Sequence, residues 1–405
     1  MSLAIYTTEL TDANAHLMPW RTILEVATCW QTRGLRTLVI SGGGQDGEKV
    51  IKGVRVLQVR RPKDPEAVER LCCRLVREGV ERLFFPIAPG SFSAGLATVA
   101  KKQGLDLVWY YPGAWHTLLK IIRASKVMSL RTLLPYIYQA IFPKRVWFKR
   151  LKAAGDYPVI AMTDYTADQL RAHGYSAERV FAIPPGKSSV VQRGKISEEC
   201  IKIEQAVGNK RFFLFFGPPN PIRGVYHILE AFACLSRTHP DVRLVCFFRG
   251  DTNVDSTLIR ERITRMGFGE RLIAHWQSVG PADLDQLLKR CYAVLKPFVI
   301  VPSEIPLAVI ETAEYGKPVI GFEGDGTGEF IGRFGLLAKH GDSRDLAETM
   351  RRLLDDSALY EDRCRAALSV YETHPNWDQV AAQWLNVGTT AGDGGVGLAP
   401  SKGTV

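Results

Sequence analysis

The chain of 405 residues has no CxxC pair among its eight cysteines and no acidic residue between Leu107 and Gly155. It also has no apolar run of about 18 residues, which predicts that no helix spans a membrane. The cysteines have no histidines at zinc spacing, so we expect free, mostly buried thiols in a reducing compartment. The N-terminal segment MSLAIYTTEL lacks a basic flank, and we interpret it as a first strand rather than a signal peptide.

Short β-rich segments alternate with helical segments in both halves of the chain, which predicts an α/β protein with parallel sheets. The length predicts two Rossmann-like domains that face a cleft, with ligands at the carboxyl ends of the strands. The expected parts are an N-terminal domain over 1–186, a turn-rich linker over 187–209, a C-terminal domain over 210–375, a final helix over 376–387 and a disordered Gly-rich tail over 388–405.

The segment FFLFFGPPNPIRGVYHILEAF, residues 212–232, has the features of an anion-binding loop. A predicted strand ends at Gly217, and Arg223 precedes an amphipathic helix. Glycine lets a ligand approach the backbone, a helix start offers free N–H groups, and arginine is a forked donor suited to a diphosphate. An ordinary βα-loop with a solvated arginine fits the same residues, and the local pattern does not decide between the two.

A second segment, VPSEIPLAVIETAEYGKPVIGF over 301–322, predicts a helix that begins at its second proline. Backbone N–H groups of Leu307 and Ala308 would then face a phosphate, and Glu311 suits the hydroxyls of a ribose. The alternative is a solvated helix charge at Glu311. The Gly-rich segment EGDGTGEFIG over 323–332 lacks the GxGxxG fingerprint and fits a plain turn as well as a ligand loop.

Taken in this order, the three segments resemble the retaining glycosyltransferases of family 4, which have the GT-B fold. The resemblance covers about 210–375 and rests on LFFGPPNPIRG, VPSEIPLAVIETAEYGKPVI and GTGEFIGRFGLLAKHGD. Trp377 is similar to the aromatic residue before the family's last helix, which crosses back to the N-terminal domain. In the N-terminal half the similar segment is ADQLRAHGYSAERVFAIPPG, residues 167–186.

The resemblance implies a C-terminal domain that binds a nucleotide sugar and an N-terminal domain that binds the acceptor. It assigns Arg223 and the start of the second segment's helix to the donor diphosphate, and Glu311 to the ribose. It also implies transfer to a hydroxyl acceptor with retention of configuration, without a metal or other cofactor. We expect His116 to orient or deprotonate that hydroxyl, with His16 as a second candidate, although a structural histidine is the alternative.

The sequence departs from the family pattern at three places. Ser303 stands where the family has a glutamate that contacts the donor hexose, and the adjacent Glu304 would supply a carboxylate if the loop were re-aimed. Pro218 stands at the arginine of an Arg–Lys pair, and Arg223 replaces the lysine. HLMPW, residues 16–20, occupies the place of a Gly-Gly loop. These departures leave a non-catalytic scaffold and a sugar-nucleotide 2-epimerase as alternative functions.

The acid-free segment carries nine basic residues within 117–152, interleaved with apolar and aromatic ones. Such stretches bind anionic membrane surfaces, so we expect Lys120, Arg123 and Lys126 to face a membrane or an acceptor. An anionic glycan acceptor or a solvated helix face also fits, and no nucleic-acid-binding signature is present. We therefore predict a cytoplasmic protein, peripheral at the inner face of the membrane, whose partners are a nucleotide sugar and a glycan or lipid-linked acceptor.

Overall fold

The computed structural model describes residues 1–62, 64–87, 93–188, 194–249, 256–277 and 280–388. These residues form two α/β domains, each built on its own largely parallel sheet, as the alternation of strands and helices predicts. Most of the predicted tail, residues 389–405, lies outside the described residues, as do residues 189–193 of the predicted linker.

The first sheet belongs to the N-terminal domain. Its strands are β1 Ser2–Thr8, β2 Arg36–Gly42, β3 Gly47–Ile51, β4 Val54–Val59, β5 Arg82–Pro86, β6 Asp106–Tyr111, β7 Val159–Ala161 and β8 Val180–Ala182. They lie in the order β3-β4-β2-β1-β5-β6-β7-β8, and β3 pairs antiparallel with β4. The sequence predicts six of these strands, whereas it misses β3, which is an exposed edge, and β8, which has three residues.

The helices of this half are α1 Trp20–Thr32, α2 Pro65–Arg77, α3 Ser93–Lys102, α4 Leu118–Ala124, α5 Leu130–Ile141, α6 Lys144–Ala154 and α7 Asp164–Ala172. Strand β1 lies near the middle of the sheet and is buried over Ser2–Thr7, as expected for a parallel strand covered by helices on both faces.

The second sheet is all parallel in its strand pairings. Its strands are β9 Phe212–Gly217, β10 Arg243–Phe248, β11 Leu272–His275, β12 Ala293–Lys296, β13 Val319–Phe322 and β14 Leu336–Ala338. The order is β11-β10-β9-β12-β13-β14, so the chain builds outward from β9 in one direction and then from β12 in the other. This reversal opens a crevice between the carboxyl ends of β9 and β12, where ligands bind in such sheets.

The helices of the second half are α8 Glu198–Val207, α9 Val225–Thr238, α10 Thr257–Met266, α11 Pro281–Arg290, α12 Leu307–Glu314, α13 Gly326–Gly332, α14 Ser343–Asp355, α15 Ser357–Thr373 and α16 Trp377–Asn386. Helix α8 corrects the predicted linker over 187–209. Its residues Cys200, Ile203 and Val207 are buried in one apolar cluster with Phe212 and Leu214 of the second sheet. The apolar residues recur at helical spacing, and the helix belongs to the C-terminal domain because they pack on its sheet.

The basic stretch also departs from its predicted place. Ile121 and Ala124 of α4 and Leu133 of α5 join the apolar core of the C-terminal domain. In contrast, Trp147 and Phe148 of α6 join the core of the N-terminal domain. The stretch therefore bridges the two domains, although it lies within the predicted N-terminal domain.

Helix α16 crosses back to the N-terminal domain, as the resemblance implies. Trp384 is buried there, and its ring centre lies 6.5 Å from that of Trp30, 5.5 Å from that of Phe84 and 5.7 Å from that of Tyr110. The indole N–H of Trp30 donates to the carbonyl of Ala381 at 2.9 Å. These contacts fasten the end of the C-terminal domain to the N-terminal sheet.

All eight cysteines are free, and four of them are buried: Cys72, Cys200, Cys246 and Cys291. Burial raises the pKa of Cys200 to about 11 and that of Cys72 to about 12, so these thiols pack as small apolar groups. Within the described part of the chain, no helix combines the length and the apolar character needed to cross a bilayer.

The crossing helix gives a stability prediction. Trp384→Ala removes the more deeply buried of the two tryptophans of α16 and is expected to lower the free energy of unfolding by about 3–5 kcal/mol. Chemical denaturation measures the change. Gln383→Ala, at an exposed position of the same helix, is the matched control and should change stability little. Equal effects of the two substitutions would show that α16 does not anchor the domains.

Candidate functional site

Basic residues from three places in the second sheet lie around the crevice between β9 and β12. Gly217 ends β9 with a φ of +142°, and a Cβ there would lie 3.6 Å from Cδ of Arg223. The backbone N–H of Arg249, just after β10, donates to the carbonyl of Gly217 at 3.0 Å. Lys296 ends β12, the strand next to β9. Three cationic residues therefore converge on the end of the central strand.

Arg223 is held against this strand end by a tight turn. Residues Pro221–Arg223 form a single 3-10 turn, capped by the side chain of Asn220. Gly224 follows with a φ of +76°, and a Cβ at this position would lie 2.0 Å from the carbonyl oxygen of Pro297. Only glycine fits there. This close approach places the Arg223 guanidinium 5.5 Å from the centre of the Phe298 ring, a cation–π contact.

Helix α12 faces the same cleft. Among the described residues, no side chain caps the start of this helix, so the N–H groups of Leu307 and Ala308 are available to an anion. One turn further, Glu311 is about one-third exposed and pairs with the guanidinium of Arg21 at 3.2 Å. Arg21 comes from α1 of the opposite domain and also donates to the hydroxyl of Ser188 at 2.7 Å. The predicted ribose-binding carboxylate thus meets an arginine across the cleft.

The space at Glu311 is small in this arrangement of the domains. The pocket that Arg21, Ser188, Leu307 and Glu311 line has a volume of about 10 Å³, room for about one water molecule. A larger cavity of about 260 Å³ lies elsewhere between the domains, beside α7 and α13. The contact between Arg21 and Glu311 therefore leaves little enclosed space beside this carboxylate.

Glu304 does not take the position predicted for it. It is fully buried, and its carboxylate accepts hydrogen bonds from the hydroxyls of Thr163, at 2.6 Å, and Thr166, both on the N-terminal domain. Burial raises its pKa to about 7, and the charge of Asp325 acts in the same direction. Both oxygens are engaged across the domain interface, so Glu304 is not available to a donor sugar in this arrangement. The hydroxyl of Ser303 is buried and has no hydrogen-bond partner among the described residues.

The position of His116 also differs from the one that its predicted role requires. It is buried between the domains, where its Nε2 donates to the carbonyl of Val301 at 3.0 Å, and its Nδ1 is buried as well. Burial lowers its pKa to about 4. A general base needs an exposed nitrogen, which His116 lacks here. His16 is exposed, and its pKa is lowered by partial burial and by the charges of Arg249, Lys52 and Arg21, which places it at the cleft.

Lys120 also differs from its predicted position at the surface. Its ammonium group is buried and donates to the carboxylate of Asp325 at 2.7 Å, so it does not face a membrane or an acceptor. Arg123 and Lys126 are exposed, as predicted. Asp325 also accepts the N–H of Gly328 at 2.8 Å and caps α13, which occupies most of the predicted Gly-rich loop over 323–332.

Two residues of the site were missed in the sequence. Arg21 directly follows HLMPW, the segment that replaces the family's Gly-Gly loop, and its role depends on a contact across 290 residues. Lys296 interrupts the apolar run AVLKPF at a strand end, and a charged residue in such a run is a signal of a functional position. Among the described residues, no group of three or more histidine, cysteine or acidic side chains is arranged to hold a metal ion.

Comparisons with known proteins concern the fold and the C-terminal half of the chain. Residues 210–356 match the family described as Glycosyl transferases group 1. The glycogen synthase of Mycobacterium tuberculosis is 29% identical over 176 residues, which is 43% of this chain and 41% of the length of that relative. The fold is similar to that of Anabaena HepE in complex with UDP, with a TM-score of 0.68 and 16% identity over 95% of this chain and 99% of that one.

A glycosyltransferase from Rickettsia africae is also similar, with a TM-score of 0.67 and 14% identity over 95% of this chain and 97% of the other. Residues 210–356 are therefore similar to a group 1 glycosyltransferase domain. The two parallel-sheet domains, the crevice between them and the crossing helix together make the GT-B fold. The predicted fold class is therefore confirmed.

Glu304 gives a prediction about pH. Because its folded pKa is about 7 against 4.5 for an ordinary glutamate, the folded protein holds a proton between these pH values that the unfolded chain has lost. Its contribution to stability is therefore complete below pH 4.5 and is lost as pH rises through 7. Glu304→Gln mimics the protonated carboxyl and should gain stability relative to wild type as pH rises from 5 to 8, by up to about 3 kcal/mol.

The measurement is the free energy of unfolding, or the melting temperature, of both proteins across this pH range. Glu323→Gln, at an exposed position near the same interface, is the matched control for the change from glutamate to glutamine. A Glu304→Gln difference that is flat from pH 5 to 8 would contradict the buried-carboxyl interpretation.

Proposed function

We propose that the protein is a glycosyltransferase that moves a hexose from a nucleotide-sugar donor to a hydroxyl acceptor with retention of configuration. The observation that carries this proposal is the convergence of Arg223 and Arg249 on the end of β9, in the cleft that the start of α12 and Glu311 also face. Cations and free N–H groups suit a diphosphate, and a carboxylate suits the two hydroxyls of a ribose. The match of 210–356 to group 1 glycosyltransferases supports the same function, and the complex of HepE with UDP supports a uridine nucleotide as the first donor to test.

The chemistry assigned to this site is stabilisation of a leaving group. Transfer breaks the bond between the anomeric carbon and the diphosphate, so negative charge grows on the departing phosphate oxygen. Arg223 and the N–H groups of Leu307 and Ala308 would stabilise that charge from fixed positions, without a metal or other cofactor. Gly217 has no side chain, which leaves space for Arg223 to lie beside the end of the strand. The acceptor hydroxyl would approach from the N-terminal domain, on the side of His16 and Arg21.

Donor binding can be tested with two substitutions. Arg223→Ala removes a charge-assisted contact to the diphosphate, and Glu311→Ala removes the acceptor of the ribose hydroxyls, so each should weaken binding about 10- to 100-fold. The measurement is the thermal shift with UDP-, GDP-, ADP- and dTDP-sugars, without and then with metal. At 100 times the dissociation constant, wild type should gain about 2.7 kcal/mol. Arg237→Ala, exposed at the end of α9, is the control and should behave as wild type.

The outcomes separate the functions. A shift with one nucleotide family that both variants lose supports the donor site. Unchanged binding in both variants would show that the site is elsewhere. No shift with any donor favours a non-catalytic scaffold. Turnover of the donor without an acceptor, giving an epimerised sugar nucleotide, favours a 2-epimerase.

For the acceptor side we propose docking on an anionic membrane surface at the cytoplasmic face, with a lipid-linked or membrane-proximal glycan acceptor. Eight of the fifteen large apolar side chains that are exposed in the described part of the chain lie within 118–146. Seven of the nine basic residues of the stretch are exposed beside them: Arg123, Lys126, Arg131, Arg145, Lys149, Arg150 and Lys152. Exposed apolar groups framed by cations of one sign complement an anionic bilayer.

Helix α5 carries four of these eight exposed apolar side chains because both of its faces are apolar. Leu133, Tyr136 and Ile137 lie against the core of the C-terminal domain. The opposite face exposes side chains at i, i+4, i+8 and i+11: Leu130, Leu134, Tyr138 and Ile141. Their spacing keeps them on one face, and nothing in the described part of the chain covers it. The helix is thus fixed to the protein by one face and offers the other to a bilayer.

Vesicle sedimentation tests this docking surface. Wild type should bind vesicles of zwitterionic lipid mixed with anionic phospholipid, bind neutral vesicles weakly, and dissociate as salt is raised towards 1 M. Arg131→Glu should weaken binding several-fold, since each basic residue contributes about 1 kcal/mol, and the double variant Leu134→Ser with Tyr138→Ser should weaken it further.

Leu258→Ser and Leu368→Ser, at exposed leucines outside the stretch, are the controls and should bind as wild type does. Binding that is equally strong on neutral vesicles, or unchanged in the variants, would contradict the membrane proposal. Binding to a soluble anionic glycan without binding to vesicles would instead support the glycan acceptor.

A further inference from the structure

Lys296 is a buried cation at the mouth of the crevice. It is 2% exposed, and it ends β12 on the side of the sheet where β9 and β12 diverge. Its ammonium group donates to the carbonyl of Phe216 at 2.5 Å and lies 3.3 Å from the centre of the Phe216 ring. The acceptor found within the described part of the chain is therefore a neutral carbonyl and not a carboxylate.

This environment is unfavourable for a positive charge. Burial lowers the pKa of Lys296 well below its usual value, the charges of Arg223 and Arg249 lower it further, and Glu311 opposes them. An ammonium group has three donors, and one carbonyl satisfies one of them. A buried, poorly compensated lysine costs stability, so its presence here needs an explanation beyond packing.

The neighbouring residues indicate what would compensate this charge. Arg223 follows β9, Arg249 follows β10 and Lys296 ends β12, and the acidic residue Glu311 acts on Lys296. Glu311 itself is paired with Arg21. Within the described part of the chain, the acidic group that acts on Lys296 is thus shared with Arg21, and a ligand that carries two or more negative charges would offset the charge of the lysine.

We propose that Lys296 binds the diphosphate of a nucleoside diphosphate or nucleotide sugar, together with Arg223, and so replaces the basic residue that Pro218 does not supply. This inference rests on the proposed donor site. The ammonium group keeps its bond to the Phe216 carbonyl and directs its other donors to phosphate oxygens. Lys296 thereby contributes a second cation from β12, on the opposite side of the crevice from the loop after β9.

Isothermal titration calorimetry with the nucleoside diphosphate that wild type binds, and with its parent nucleoside, tests the proposal. Lys296→Met removes the charge in a side chain of similar length, and Lys296→Gln removes the charge but retains an N–H donor for the Phe216 carbonyl. Both should bind the diphosphate about 10- to 100-fold more weakly and the nucleoside as wild type does. Lys317→Met, at the amino-terminal edge of the same sheet, is the matched control and should bind both ligands as wild type does.

Proton uptake gives an independent reading. At pH 8 the phosphates are already ionised, so a proton taken up on binding reports a protein group whose pKa rises, and titrations in two buffers of different ionisation enthalpy measure it. Uptake in wild type that both variants lose supports the proposal.

Three results would overturn this inference: diphosphate binding by both variants at wild-type affinity, recovery of affinity in Lys296→Gln alone, or equal loss of nucleoside and diphosphate binding. A wild type that binds no nucleoside diphosphate would instead overturn the proposed donor site itself. If Lys296→Met does not fold, Lys296→Gln carries the test alone.

Discussion

The buried polar contacts between the domains constrain the rest of the molecule. Lys120 and Asp325 form an ion pair that is almost fully buried. The carboxylate of Glu304 accepts hydrogen bonds from the hydroxyls of Thr163 and Thr166. Buried charges are tolerated when they are paired, and separating such partners leaves each one uncompensated. The two domains therefore dock at one defined position. That position sets where α1 meets α12, and hence the contact between an arginine of one domain and a carboxylate of the other.

Much of the fold could be predicted from the sequence, because buried parallel strands are continuous apolar runs and the helices between them have clear periodicity. The strands that escaped prediction are short or exposed: β3, β8 and β14. The linker prediction failed at α8 because a polar, turn-rich segment precedes a short helix whose buried face has three residues. In each case the local signal was weak, and contacts with distant residues decided the structure.

The candidate site also contains residues that local sequence predicts and residues whose positions depend on distant contacts. Gly217, Arg223 and the start of α12 are local features, and the structure gathers them at one strand end. The misassigned residues depend on the other domain. Lys120 and His116 read as free polar groups in the sequence, yet they become buried when α4 docks on the C-terminal domain. Glu304 stands next to the family's glutamate position, but two threonines 138 and 141 residues away capture its carboxylate.

Helix α4 links the domain interface to the surface of the basic stretch because its two faces make different contacts. Its inner face places Lys120 on Asp325 and Ile121 in the core of the C-terminal domain. Its outer face exposes Leu119 and Ile122 on the surface of the basic stretch. A helix of seven residues cannot tilt without moving both faces. The exposed apolar surface of the basic stretch is therefore coupled through α4 to the ion pair of Lys120 and Asp325. Any opening of the cleft would either carry α4 with the C-terminal domain or break this buried ion pair.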